Sequence, residues 1–109
     1  MNFNDYQKLA MRTCSLKQFD GLGALQNAAL GLAGEAGEFA DVIKKVSFQG
    51  HTVDEAHLAE EVGDILWYCA LAAEALGVSL DDIAENNIQK LSRRYPNGFE
   101  QERSLHREE

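Results

Sequence analysis

The chain has 109 residues, 45% AVILMFWYC and 26% charged, a balance that fits one folded domain rather than a disordered segment. Ten Lys and Arg against eighteen Asp and Glu leave a formal net charge of −8, which argues against a surface that coats a nucleic-acid duplex through clustered positive charge. A single proline and the scarcity of alternating strand patterns argue against a β-sandwich or barrel and leave an all-α chain as the expectation. Cys14 and Cys69 are far apart and lack CxxC spacing, so reduced thiols are expected. Met1–Leu9 has no apolar run of a secretory signal. The most apolar stretch, Ile65–Ala73, is far shorter than the roughly 20 residues of a membrane span. A cytoplasmic chain with no membrane partner is expected.

In chain order, Asn4 is placed to cap a first helix reaching about Cys14, with Tyr6, Leu9, Ala10 and Thr13 on one side. A turn cluster follows from Ser15 to Gly23, in which Leu16 and Phe19 are expected to pack. From Ala24 to Val46, Leu25, Ala28, Leu32, Ala36, Phe39, Ile43 and Val46 recur at helical steps. Lys44 and Lys45 suit the negative end of that helix, and Ser47-Phe48-Gln49-Gly50 ends it. Thr52 and Glu55 have the spacing of a capping box for a third helix running to about Leu76. Its core stripe is Leu58, Val62, Ile65, Cys69, Ala72 and Leu76. Leu66, Trp67 and Leu71 put apolar surface on its other faces, which in so short a chain implies coverage by a second subunit. Gly77 suits a left-handed helix end, and Ser79 with Asp82 restarts a fourth helix that stops before Tyr95-Pro96. These elements predict a four-helix bundle-like chain of antiparallel helices assembled as a homo-oligomer, with residues 1–98 as the domain and 99–109 as a charged tail.

Two acidic pairs at i,i+3 spacing stand beside the apolar stripes, Glu35 with Glu38 and Glu61 with Asp64. If the second and third helices pack antiparallel, these carboxylates converge at a rim. There they repel one another unless a cation holds them, or else they are simply solvated. Hard oxygen donors suit Mg²⁺ or Mn²⁺ better than zinc. Gly31, Gly34, Gly37 and Gly63 interrupt the same helices at about 0.8–1 kcal/mol each relative to alanine. Close approach by a helix or a ligand would offset that cost. On the fourth helix, Asn87, Lys90 and Arg94 share a face with Ile83 and Leu91. They either meet anionic oxygens of a ligand or pair with internal carboxylates. Trp67 and Tyr68 either belong to the core or stack on a base. His51 and His57 form no metal-ligand motif and read as surface or capping residues.

Gly34-Glu35-Ala36-Gly37-Glu38, Glu60-Glu61-Val62-Gly63-Asp64 and Asn87-x-x-Lys90-Leu91-x-x-Arg94-Tyr95, with 22 residues between Glu38 and Glu61, closely resemble the MazG-like nucleoside triphosphate pyrophosphohydrolases. The resemblance spans most of the domain. It implies hydrolysis of a nucleoside triphosphate, a deoxyribonucleotide or noncanonical one, to the monophosphate and pyrophosphate. It makes Glu35, Glu38, Glu61 and Asp64 the Mg²⁺ ligands; Mn²⁺ suits the same oxygen donors, and Glu38, which spacing does not distinguish from Glu35, is the carboxylate expected to help take the proton of water. The resemblance gives Asn87, Lys90 and Arg94 to phosphate and the surroundings of Trp67 and Tyr68 to the nucleoside. The assembly is expected to be a homodimer or a dimer of dimers. The alternatives are a phosphoribosyl-ATP pyrophosphohydrolase and a non-catalytic helical module that senses a nucleotide or joins a partner.

Overall fold

The computed structural model describes residues 1–15 and 21–106; Leu16, Phe19 and the end of the tail lie outside them. The described residues form helices α1 Phe3–Met11, α2 Gly21–Phe48, α3 Glu55–Leu76, α4 Leu80–Arg94 and the short α5 Gln101–Leu105. No single helix among them is long and apolar enough to cross a membrane.

The caps explain most of the boundaries. Asn2, rather than Asn4, opens α1, its Oδ1 accepting from Asp5 N–H at 2.8 Å, and the helix stops at Met11, short of Cys14. Thr52 and Glu55 do not form the expected capping box. Asp54 takes the position instead, accepting from His57 N–H at 3.1 Å, because a carboxylate there is immediately adjacent to the first helical residue. α2 closes at Gly50, whose φ of 73° only glycine adopts without strain. Gly77 (φ 70°, ψ 29°) ends α3, and Val78 N–H reaches back to Ala73 O at 3.0 Å in a Schellman arrangement. Ser79 Oγ then caps α4 by accepting from Asp82 N–H. Beyond α4, the Arg103 guanidinium donates to the carbonyls of Arg94 and Arg93, so the tail closes the negative end of that helix.

α2 and α3 form an antiparallel hairpin, with Ala28 beside Leu71 and Glu35 beside Glu61. Small residues set its spacing. Ala24 and Ala28 of α2 are buried with Leu71 of α3, while Ala70 and Ala73 of α3 are buried with Ala10 of α1 and Leu80 of α4. The Tyr68 ring lies directly on Gly31, where an added Cβ would overlap it, so the expectation of a close approach holds at that glycine. α1 crosses α3, and the Trp67 indole N–H donates to Ala10 O at 3.2 Å and Thr13 Oγ1 at 2.8 Å. The buried Gln7 amide joins α1 to the α3–α4 turn, donating to Glu74 Oε2 and Val78 O and accepting from Leu80 N–H.

The expected core stripe of α3 is displaced around the helix. Val62 and Leu76 are exposed, while Glu61 is buried, because the helices approach through alanines and not through the larger apolar side chains. α4 leaves α3 at 100° and packs on α1 and α3 near its own start. It is not a fourth antiparallel stave within the chain. The face carrying Ile83, Asn87, Lys90 and Leu91 therefore lies open instead of pointing into a bundle. Cys14 and Cys69 are free thiols, and burial pushes both above the ordinary thiol range.

Candidate metal centre

Antiparallel pairing brings the Glu35-x-x-Glu38 turn of α2 against the turn of α3 that carries Glu61. Carboxylate oxygens of Glu35, Glu38 and Glu61 lie within 4.8 Å of one another. Octahedral coordination with metal–oxygen bonds of about 2.0–2.1 Å places ligand oxygens up to about 4.2 Å apart, so small side-chain rotations would bring the three oxygens onto one such shell. Glu61 is 6% exposed and is the most buried charged residue described. Its Oε2 and the Oε2 of Glu35 are both buried without a hydrogen-bond donor. Two buried carboxylate oxygens facing each other with no donor are costly unless a proton or a cation lies between them.

Asp64 does not join the three-oxygen group. It is exposed one turn further along α3, although its charge still acts on Glu35. The Glu35 carboxyl is raised to about 7, first by the hydrogen bond to Glu61 that its protonated form makes, then by desolvation and by the charges of Glu38, Asp64 and Glu61. Its folded value therefore lies above its unfolded value of 4.5. The folded state binds the extra proton between those values, so stability is largest at the acidic end of that window and falls as pH rises through it. The melting temperature of metal-free protein is expected to fall between pH 5 and pH 8, with a flatter profile in Glu35→Gln and after addition of a divalent cation. A slope unaltered by either change would contradict the carboxyl pairing.

Glu38 and Glu61 open onto a cleft of about 550 Å³ between α2 and α3. Gly34 and Gly37 form part of its wall, and a Cβ at either would meet no other atom. Absent side chains keep that wall bare, which gives two of the helix-weakening glycines a spatial role. Nothing in the single chain explains Gly63. The same cleft is lined by Asp41, Lys45 and His57. His57 Nε2 is 3.5 Å from Glu61 Oε1, a contact that sequence reading missed although the i,i+4 spacing was available. The Asp41 carboxyl is held below its usual range by hydrogen bonds from Lys45 and then Lys44.

Asn87, Lys90 and Arg94 do not line this cleft. Asn87 and Lys90 are exposed on α4, and Arg94 is half-buried near the tail. Trp67 and Tyr68 pack edge to face at 5.0 Å and are half-buried against the alanine core, with the indole N–H already engaged by α1.

Comparison with known proteins gives concordant findings. A family model described as the MazG nucleotide pyrophosphohydrolase domain matches residues 24–99, which includes all but the first three residues of the hairpin and all of α4. The Gene 37 protein of Mycobacterium phage L5 is 35% identical over 83 residues, covering 72% of this chain and 73% of its own. No solved structure gives a significant match.

Proposed function

The chain belongs to the MazG nucleotide pyrophosphohydrolase domain family, and on that premise we propose that it hydrolyses a nucleoside triphosphate, a dNTP or a noncanonical NTP, to the monophosphate and pyrophosphate with Mg²⁺. The observation that carries this reading is the convergence of Glu35, Glu38 and Glu61 around two buried oxygens without donors. Family membership supports nucleotide pyrophosphohydrolase activity and dependence on a divalent metal in general. Glu35, Glu38 and Glu61 would hold the ion, and Asp64 would join them by turning its exposed side chain inward. When bound, a divalent cation supplies Lewis-acid polarisation of the phosphoryl oxygens and acidifies water.

The rest falls to the chain. Glu38 is the exposed member of the group and lines the cleft, which suits it to accept the proton of the attacking water. The water oxygen bonds to the α-phosphorus, the bond from that phosphorus to the bridging oxygen breaks, and pyrophosphate leaves. Asn87, Lys90 and Arg94 would contact the phosphates, and the surroundings of Trp67 and Tyr68 would shape the nucleoside pocket.

A homo-oligomer reconciles the position of α4 with that role. The chain exposes 7859 Å², against about 6,000 Å² for a compact monomer of this mass. Its radius of gyration is 17.0 Å, against about 13 Å for a compact domain of this length. Leu30 is 75%, Leu76 58% and Ile88 58% exposed, a pattern that a second copy would cover. In a two-fold pair, α4 of the partner can bring the cations that the chain's own α4 carries away.

The test is pyrophosphate release from a panel of canonical and damaged NTPs and dNTPs, with phosphoribosyl-ATP included. Release with Mg²⁺, its loss in excess EDTA and its recovery on adding Mg²⁺ back are expected. Nucleotide binding without pyrophosphate from any member of the panel would contradict the proposal in favour of a sensing module. Turnover of phosphoribosyl-ATP alone would move the assignment to that substrate.

A further inference from the structure

The three-oxygen group occupies only part of the cleft. Along α2, Lys45 lies seven residues beyond Glu38, two helical turns or about 10.5 Å along the axis on nearly the same face. Along α3, His57 lies one turn before Glu61. Both Lys45 and His57 line the cleft, at the end nearest the α2–α3 connection. The positive charge there is selective. Lys44 and Lys45 are the only Lys or Arg residues between Gly21 and Leu76, and of the two only Lys45 faces the cleft. Its Nζ is 3.0 Å from Asp41 Oδ2, while Lys44 Nζ is 3.0 Å from Asp41 Oδ1. Asp41 therefore acts as a positioning residue that anchors the ammonium at the wall.

We infer that Lys45 and His57 form a pyrophosphate subsite in the same chain as the carboxylates, binding the β- and γ-phosphates before cleavage and the pyrophosphate after it. The inference rests on the functional reading above and adds a contact that the resemblance, which points to α4, does not supply. A triphosphate whose α-phosphorus lies at Glu38 and Glu61, the two carboxylates of the group that line the cleft, can extend along it toward Lys45 and His57. That direction gives its anionic oxygens an ammonium and an imidazole N–H.

Inorganic pyrophosphate and the nucleoside monophosphate product, used separately as inhibitors, test the subsite in wild type, Lys45→Gln, His57→Gln and Lys45→Arg. Lys45→Gln is expected to weaken pyrophosphate inhibition about tenfold or more, the size of one charge-assisted contact. His57→Gln should act in the same direction. Monophosphate inhibition should stay within about twofold, as should Mn²⁺ affinity in the Lys45 variants, and Lys45→Arg should recover most of the pyrophosphate affinity. Unchanged pyrophosphate inhibition in an active Lys45→Gln enzyme would overturn the subsite and leave the functional reading intact. Equal weakening of both products would also overturn it, because a structural disturbance would move both. A wild-type protein that neither releases pyrophosphate nor binds Mn²⁺ would remove the functional reading, and the subsite with it. Both side chains are roughly half-exposed, so the variants are expected to fold.

Discussion

Glu61→Gln is expected to slow pyrophosphate release by at least about 100-fold, beyond the 10–100-fold typical of disturbing only the residues behind a metal's ligands, while the helices stay intact. Glu61 is the buried centre of the acidic group, with one oxygen facing Glu35 and the other 3.5 Å from His57 Nε2. An amide keeps the shape but loses the charge and one oxygen donor. It also gains an N–H that can satisfy Glu35 Oε2, relieving the repulsion that the metal-free protein carries at neutral pH. The variant should therefore melt no lower than the metal-free wild type although it is inactive. Glu38→Gln should be similarly inactive with a helical circular-dichroism spectrum. Asp64→Asn should lose activity less steeply, because Asp64 stands outside the three-oxygen group. If Glu61→Gln kept wild-type turnover, the site would be wrongly placed; parity between the Asp64 and Glu61 variants would instead make Asp64 a full ligand.

The second large effect is complementation between two inactive chains. Lys90→Gln with Arg94→Gln removes the α4 cations, and Glu61→Gln removes the carboxylate centre. If each site combines the carboxylates of one copy with α4 of its two-fold partner, random mixing makes half of the dimers mixed. Each mixed dimer holds one intact site, so activity should return to roughly a quarter of wild type from parents with almost none. The recovery should depend on unfolding and refolding the two chains together. No recovery from such a mixture, with mixed dimers shown to have formed, would mean that the α4 cations serve their own chain or serve no site.

The sequence carried the helical architecture because its signals are local. Gly77 and Ser79 mark the end of α3 and the start of α4, and the long stripe through α2 is visible despite its glycines. The caps at Asn2 and Asp54 were less legible. Asn4 and Thr52 offer similar chemistry two residues away, and only backbone geometry selects between neighbours. The core was misread for a physical reason: ranking side chains by apolar size favours Val62 and Leu76, whereas closely approaching helices bury Ala24, Ala28, Ala70 and Ala73. The same close approach buries Glu61, which from its spacing alone looked no different from Asp64. The direction of α4 was not legible, because a three-residue turn at Gly77-Val78-Ser79 sets its 100° departure, and helical periodicity contains no information about that angle. His57 was passed over because it belongs to no familiar ligand motif; its position becomes informative only when α2 supplies the opposite wall.

Calorimetric titration of metal-stripped protein with Mn²⁺, wild type beside Glu61→Gln, tests the metal centre without depending on the choice of nucleotide. Saturable binding in the wild type and its loss in the variant, with both proteins equally helical, is the expected result. Equal binding by both proteins, or none by either, would contradict the assignment of these carboxylates as the metal's ligands.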